Sequence, residues 1–115
     1  MTAKLVEITS LTELENIIAQ SDKRKQLIFK HSNACPISSA AFDEMQGYLE
    51  NNPAKDVDYS LIVVQVARNV SNEVAAKLNV EHESPQAILV HNGKAIWNQS
   101  HRKITQSSLT DVLKA

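Results

Sequence analysis

The chain has 115 residues, and Leu, Ile, Val and Phe make up about 27% of them, above the roughly 20% floor below which chains tend to stay disordered. Twelve Lys and Arg against thirteen Asp and Glu leave a net charge of −1. That balance excludes the cation excess on which nucleic-acid modules and polybasic membrane binders depend.

One domain spanning residues 1–115 is expected for this length. The longest nearly unbroken apolar run, 61–67, is far short of the ~20 residues that cross a bilayer. The start, Met1-Thr2-Ala3-Lys4-Leu5-Val6-Glu7, meets charge at once and lacks the apolar core of a signal peptide. A cytoplasmic location with no membrane partner and no nucleic-acid partner is the expectation. The chain holds one cysteine. It cannot form an internal disulfide, nor by itself a thiolate zinc site or an iron–sulfur cluster.

In chain order, Lys4 to Ile8 reads as a weak strand. Ser10 and Glu13 have the spacing of a capping box, and Leu11, Leu14, Ile17 and Ile18 follow at helical intervals, predicting a helix that ends near Ser21. Asp22-Lys23-Arg24-Lys25 reads as a solvated turn. Leu27-Ile28-Phe29 is a short buried strand. After His31-Ser32-Asn33-Ala34-Cys35-Pro36 comes a second helix carrying Ile37, Ala41, Met45, Tyr48 and Leu49, stopped by Gly47 and Asn51-Asn52-Pro53.

Residues 59–67, rich in Val and Ile and apolar on both sides, predict a central strand. Residues 71–78 predict a short helix with Val70, Val74 and Leu78 on one stripe, stopped at Asn79. Ala87-Ile88-Leu89-Val90 and Ala95-Ile96-Trp97 flank His91-Asn92-Gly93-Lys94, and Asn-Gly between apolar runs marks a tight hairpin. Thr105 caps a last helix through Leu109, Val112 and Leu113, with Ile104 and Leu109 placed as a hydrophobic staple. A β-α-β unit, then a helix, then an antiparallel hairpin predict an α/β fold of thioredoxin-like type, a mixed sheet of four or five strands with helices on both faces.

Cys35 falls between a strand end and a helix start, with Pro36 where proline best tolerates its missing N–H. At such a cap the sulfur faces the N–H groups of Ile37 and Ser38, and the helix dipole favours thiolate over thiol. The Ser38 hydroxyl offers one more hydrogen bond. The plainer alternative is a small buried hydrophobe; the strand–Cys–Pro–helix context favours the reactive thiol. Ser84-Pro85 precedes the first hairpin strand, where a thioredoxin-like fold sets a cis-proline opposite the nucleophile. There the Ser84 backbone is expected to pair with an extended substrate as an added strand. An ordinary trans loop proline is the alternative.

Ala34-Cys35-Pro36-Ile37-Ser38, with Ser84-Pro85 and the Asn92-Gly93 hairpin, resembles the monothiol bacilliredoxins of the YtxJ-like group (bacilliredoxin C) over nearly the whole chain. The group's usual motif is Thr-Cys-Pro-Ile-Ser; Ala34 here removes one hydroxyl beside the sulfur. The resemblance implies the cytosol of Gram-positive bacteria that use bacillithiol. It implies S-bacillithiolated client proteins as substrates, bacillithiol or a partner redox enzyme as reductant, and no cofactor beyond that co-substrate thiol.

In a dithiol enzyme the second Cys of C-x-x-C resolves the mixed disulfide. Ser38 holds that place and cannot, so an outside thiol must finish the cycle. Bacillithiol carries carboxylates, and Lys30, His31 and Arg68 are the cationic candidates to meet them. His31 is also a candidate to steady the thiolate or relay a proton. His31, His82, His91 and His101 are scattered, and no metal site is expected. The only two glycines, Gly47 and Gly93, form no phosphate loop. Three competing readings remain: a redox-silent adaptor with an ordinary thiol pKa, a stress sensor modified once without turnover, and a glutaredoxin-like enzyme using glutathione.

Overall fold

A computed structural model describes residues 5–34, 36–51 and 53–113. Cys35 lies outside them. The elements are β1 (Leu5–Glu7), α1 (Leu11–Gln20), β2 (Lys25–His31), α2 (Pro36–Glu50), β3 (Val57–Val63), α3 (Arg68–Leu78), β4 (Gln86–His91), β5 (Lys94–Ser100) and α4 (Gln106–Leu113), with a 3₁₀ turn at His101–Lys103. Strand order is β1-β3-β2-β4-β5. β1 and β2 run parallel to β3, while β4 is antiparallel to both β2 and β5. The sheet is mixed because the β2-α2-β3 crossover enforces parallel strands and the two-residue turn at Asn92-Gly93 enforces antiparallel ones. Both turn residues have positive φ, 54° and 75°, as a tight hairpin requires.

Local sequence explains the helix ends. Ser10 Oγ accepts from Glu13 N at 3.2 Å, and Glu13 Oε1 accepts in return from Thr9 N at 3.0 Å. The reciprocal bond is thus made one residue earlier than in a standard capping box. Asn79 ends α3 in the left-handed region at φ 55°, a conformation asparagine tolerates better than most residues. Thr105 Oγ1 accepts from Ser108 N at 3.0 Å and starts α4.

Several boundaries differ from the sequence reading: α3 begins at Arg68 rather than at residue 71, β2 extends over Lys25–His31, and β3 begins at Val57; two further differences have a clear physical cause. β3 stops at Val63, because Val66 N and Ala67 N turn back to Val63 O; the apolar run 64–67 is a turn that feeds α3. α2 passes through Gly47 to Glu50. That glycine does not end the helix but lets α4 approach, since a Cβ there would meet the Gln106 side chain.

Alternation along β2 divides the core. Leu27 and Phe29 face α2 and α4, packing with Ala41, Met45, Tyr48, Leu49 and Leu109. Ile28 faces α1 and α3, packing with Leu14, Val70, Val74 and Leu78. Each fully buried Leu, Ile or Phe contributes about 1.5–3 kcal/mol, so both layers depend on this one strand. Tyr48 and Tyr59 are buried with hydroxyls 2.9 Å apart. Burial, first of all, raises the Tyr59 pKa. No helix among the described residues is long and apolar enough to cross a membrane.

Candidate active site at the start of the second helix

The parallel strands β2 and β3 end together at His31 and Val63, and α2 begins five residues after His31, at Pro36. The connecting turn is held from several sides. Val64 N donates to His31 O at 2.9 Å. Gln65 donates from Nε2 to Ser32 Oγ at 2.8 Å and accepts from Asn33 N at 3.1 Å. Ser38, fully buried, accepts at Oγ from Ser32 N at 3.3 Å. The hydroxyl in the place of a second cysteine thus braces the turn from inside and keeps its own proton free to donate. Its expected bond to the sulfur, and the role of Cys35 as helix cap and nucleophile, lie outside the described residues. Pro36 and Ile37 stand in the first turn of α2, whose early N–H groups have no intrahelical partner and form a positive helix end.

His31 points to the α2 face. Its ring lies 5.0 Å from that of Phe42 and 6.3 Å from that of Phe29. Burial, the largest influence on it, lowers its pKa. A neutral imidazole packed under the first turns of α2 supports that helix end without adding charge.

Lys30, next along the strand, points the other way. The expectation that it meets a ligand as a surface cation does not match the structure. Lys30 is fully buried, donating from Nζ to Ser71 O at 3.0 Å and lying 3.2 Å from His82 Nδ1. The physical reason is strand alternation: if His31 faces α2, its neighbour must face α3. Arg68 opens α3 and is exposed. It stands near enough to His82 to disfavour the imidazolium. Lys30 and Arg68 therefore gather around His82 on the α3 face, apart from His31 and Ser38.

The Ser84–Pro85 peptide bond is cis. Pro85 is buried, and its carbonyl accepts from His101 N at 3.0 Å. His101 adopts positive φ, 58°, and its Nε2 lies 3.2 Å from Glu83 Oε1. These contacts join the 81–85 loop to the 3₁₀ turn. Between that turn and the start of α2 runs a groove of about 490 Å³, lined by Pro36, Ile37, Ala40, Glu44, His101 and Arg102 among others. A larger hollow, about 630 Å³, sits beside α1 and the Pro53–Lys55 turn, at the opposite end of the sheet from Pro36.

Sequence reading missed Gln65, His101 and Arg102. Gln65 interrupts an apolar run, the one available hint that the run had left the strand. His101 and Arg102 carry no local signal, because their approach to Pro36 arises only when the hairpin folds back over α2. Lys30, Ser38 and His31 were legible as candidates, but the face that each addresses was not.

Comparison with known proteins agrees with this arrangement. The model of the monothiol bacilliredoxin BrxC family matches residues 6–109. A solved structure described as a candidate oxidoreductase with a thioredoxin fold is 36% identical, with a TM-score of 0.80 over 93% of this chain and 91% of that one. Thioredoxin from Malassezia sympodialis is 12% identical with a TM-score of 0.78, covering 97% of this chain and 90% of its own. Mitochondrial thioredoxin 3 from Saccharomyces cerevisiae is 19% identical with a TM-score of 0.74, covering 96% and 93%. At those identities the two thioredoxins speak for the fold alone. A family match over most of the chain and a related oxidoreductase structure make this chain a thiol oxidoreductase of thioredoxin fold, and it belongs to the monothiol bacilliredoxin (BrxC) family.

Proposed function

We propose that this protein removes bacillithiol from S-bacillithiolated proteins of the cytoplasm, using Cys35 alone. The observation that carries the reading is chemical. The chain has one cysteine, and the position three residues on holds a fully buried serine committed to bracing the turn. The Cys35 thiolate attacks the bacillithiol sulfur of a mixed disulfide. A bond from Cys35 to bacillithiol forms, the bond to the target breaks, and the target leaves as a thiolate that takes up a proton. A second thiolate, from bacillithiol or a partner redox enzyme, then attacks the bacillithiol sulfur and frees Cys35. Two exchanges balance without metal or organic cofactor.

The positive end of α2 favours the thiolate in this scheme. The groove beside Pro36 suits a small thiol, and Arg102 supplies a cation for its carboxylates. Arg68, exposed at the start of α3, is a second cation for a client protein. The Ser84 backbone pairs with the extended substrate.

Steady-state turnover tests this reading. With a bacillithiolated protein as substrate, each chain should release many equivalents of free target when bacillithiol is supplied, and fewer with glutathione at equal concentration. A single equivalent per chain, whichever thiol is added, would instead describe a sensor. No release at all would describe an adaptor.

A further inference from the structure

Lys30 is the only charged side chain fully buried among the described residues, and no carboxylate pairs with it there. A methionine of similar length would fill the space without burying a charge. What the ammonium adds is direction. It reaches two acceptors on two different elements, Ser71 O in α3 at 3.0 Å and His82 Nδ1 in the loop before β4 at 3.2 Å. Ser71 Oγ lies 3.4 Å from the same imidazole nitrogen.

The rest of that loop is tied elsewhere. Gln86 Nε2 donates to Glu81 O at 3.0 Å, and Pro85 O and Glu83 both bond to His101. His82 is thus the one point at which the loop is fastened to the α3 layer through Lys30. Resting on the function proposed above, we propose that Lys30 and His82 form a latch that fixes the 81–85 loop, and with it the Ser84 backbone edge offered to a disulfide substrate. Lys30 is then a positioning residue acting through His82, never a ligand contact.

The latch has an acid limit. A neutral imidazole can accept at Nδ1; a protonated one has no lone pair there and sets a second cation against the ammonium. The groups around His82 hold it neutral. Partial burial disfavours its charged form most, followed by Lys30 from β2 and, more weakly, Arg68 from α3; Glu83 of its own loop opposes them.

Three variants and two readouts test this. His82→Asn keeps an acceptor near the Nδ1 position, His82→Leu removes it, and Lys30→Met removes the donor. Because His82 is exposed, the leucine variant reads the loop without changing the buried core around Lys30. Losing a hydrogen bond to a charged donor should raise amide hydrogen exchange across 81–84 about tenfold or more in His82→Leu and Lys30→Met. Their KM for a protein mixed disulfide should rise by a similar factor, while alkylation of Cys35 by iodoacetamide stays within about twofold.

His82→Asn should behave as wild type at neutral pH. Wild type alone should lose loop protection on acidification, and only as pH falls below the ordinary imidazole value of about 6.5, because the pKa of His82 is lowered. A His82→Asn protein as loose as His82→Leu, or a Lys30→Met loop as protected as wild type, overturns the latch. Loop exchange needs no disulfide substrate. If the wild-type chain exchanges no bacillithiol yet its loop responds as described, the functional reading fails and the latch stands.

Discussion

β2 presents two neighbouring basic side chains, His31 and Lys30, to opposite sides of one sheet, and the two sides treat them differently. On the α2 side His31 packs between Phe29 and Phe42 and is held neutral. On the α3 side Lys30 is buried deeper and keeps an ammonium whose pKa is lowered by burial to about 8. The first side supports the helix end that follows Cys35 and gains stability from aromatic packing. The second gives up stability to fix a loop. Residues adjacent in sequence thus serve one site from two layers, and the 81–85 loop joins those layers.

The largest expected effect breaks the α2 side. Phe42→Ala removes the ring over His31 and should cost about 3 kcal/mol in urea unfolding. The His31 pKa should rise toward its ordinary value as water enters, which an NMR titration will read. An unchanged His31 titration would mean that the aromatic packing does not set its environment.

Lys30→Met tests the α3 side and should act in the opposite direction, stabilising the fold by about 1–3 kcal/mol at neutral pH. The sign with pH follows from linkage. A lysine whose folded pKa lies below its unfolded value binds fewer protons in the folded state, so wild-type stability should rise between about pH 8 and about pH 10.5. In Lys30→Met that rise should be missing, and the advantage of the variant should shrink across the same window. Parallel pH profiles for the two proteins would contradict a buried ammonium at this position.

Ser38→Ala acts on the turn itself. It strands Ser32 N–H, so about 1 kcal/mol should be lost, with faster amide exchange at Ser32. Smallest is the acid side of His31. Its folded pKa is below the unfolded value, so its contribution is complete above the ordinary imidazole pKa and is lost as pH falls through and below about 6.5. His31→Asn should flatten part of that fall in stability.

The fold was legible where local chemistry is self-contained: the Ser10 cap, the Asn92-Gly93 turn and the Thr105 cap each fix an element from within a few residues. It was less legible where a boundary depends on a distant partner. Gly47 looks like a helix stop until α4 packs against it, and Val64 and Val66 look like strand until Gln65 reaches across to Ser32 and Asn33. The site shows the same division. Pro36 and Ser38 announce themselves by their spacing from Cys35, and Ser84-Pro85 by its place in the expected fold. Lys30 was visible as a cation, but its burial depends on which way a strand of buried polar and apolar residues is turned. Gln26 and Lys30, both buried in β2, hide the alternation that would have shown it.

In the proposed cycle one sulfur performs the exchange and cannot complete it alone. Intact-mass measurement after mixing the reduced protein with one equivalent of a bacillithiolated protein tests this most directly. One bacillithiol adduct per chain is expected, located on Cys35, stable until an external thiol is added, and short-lived in Ser38→Cys. A target that stays modified while the chain keeps its unmodified mass would contradict it.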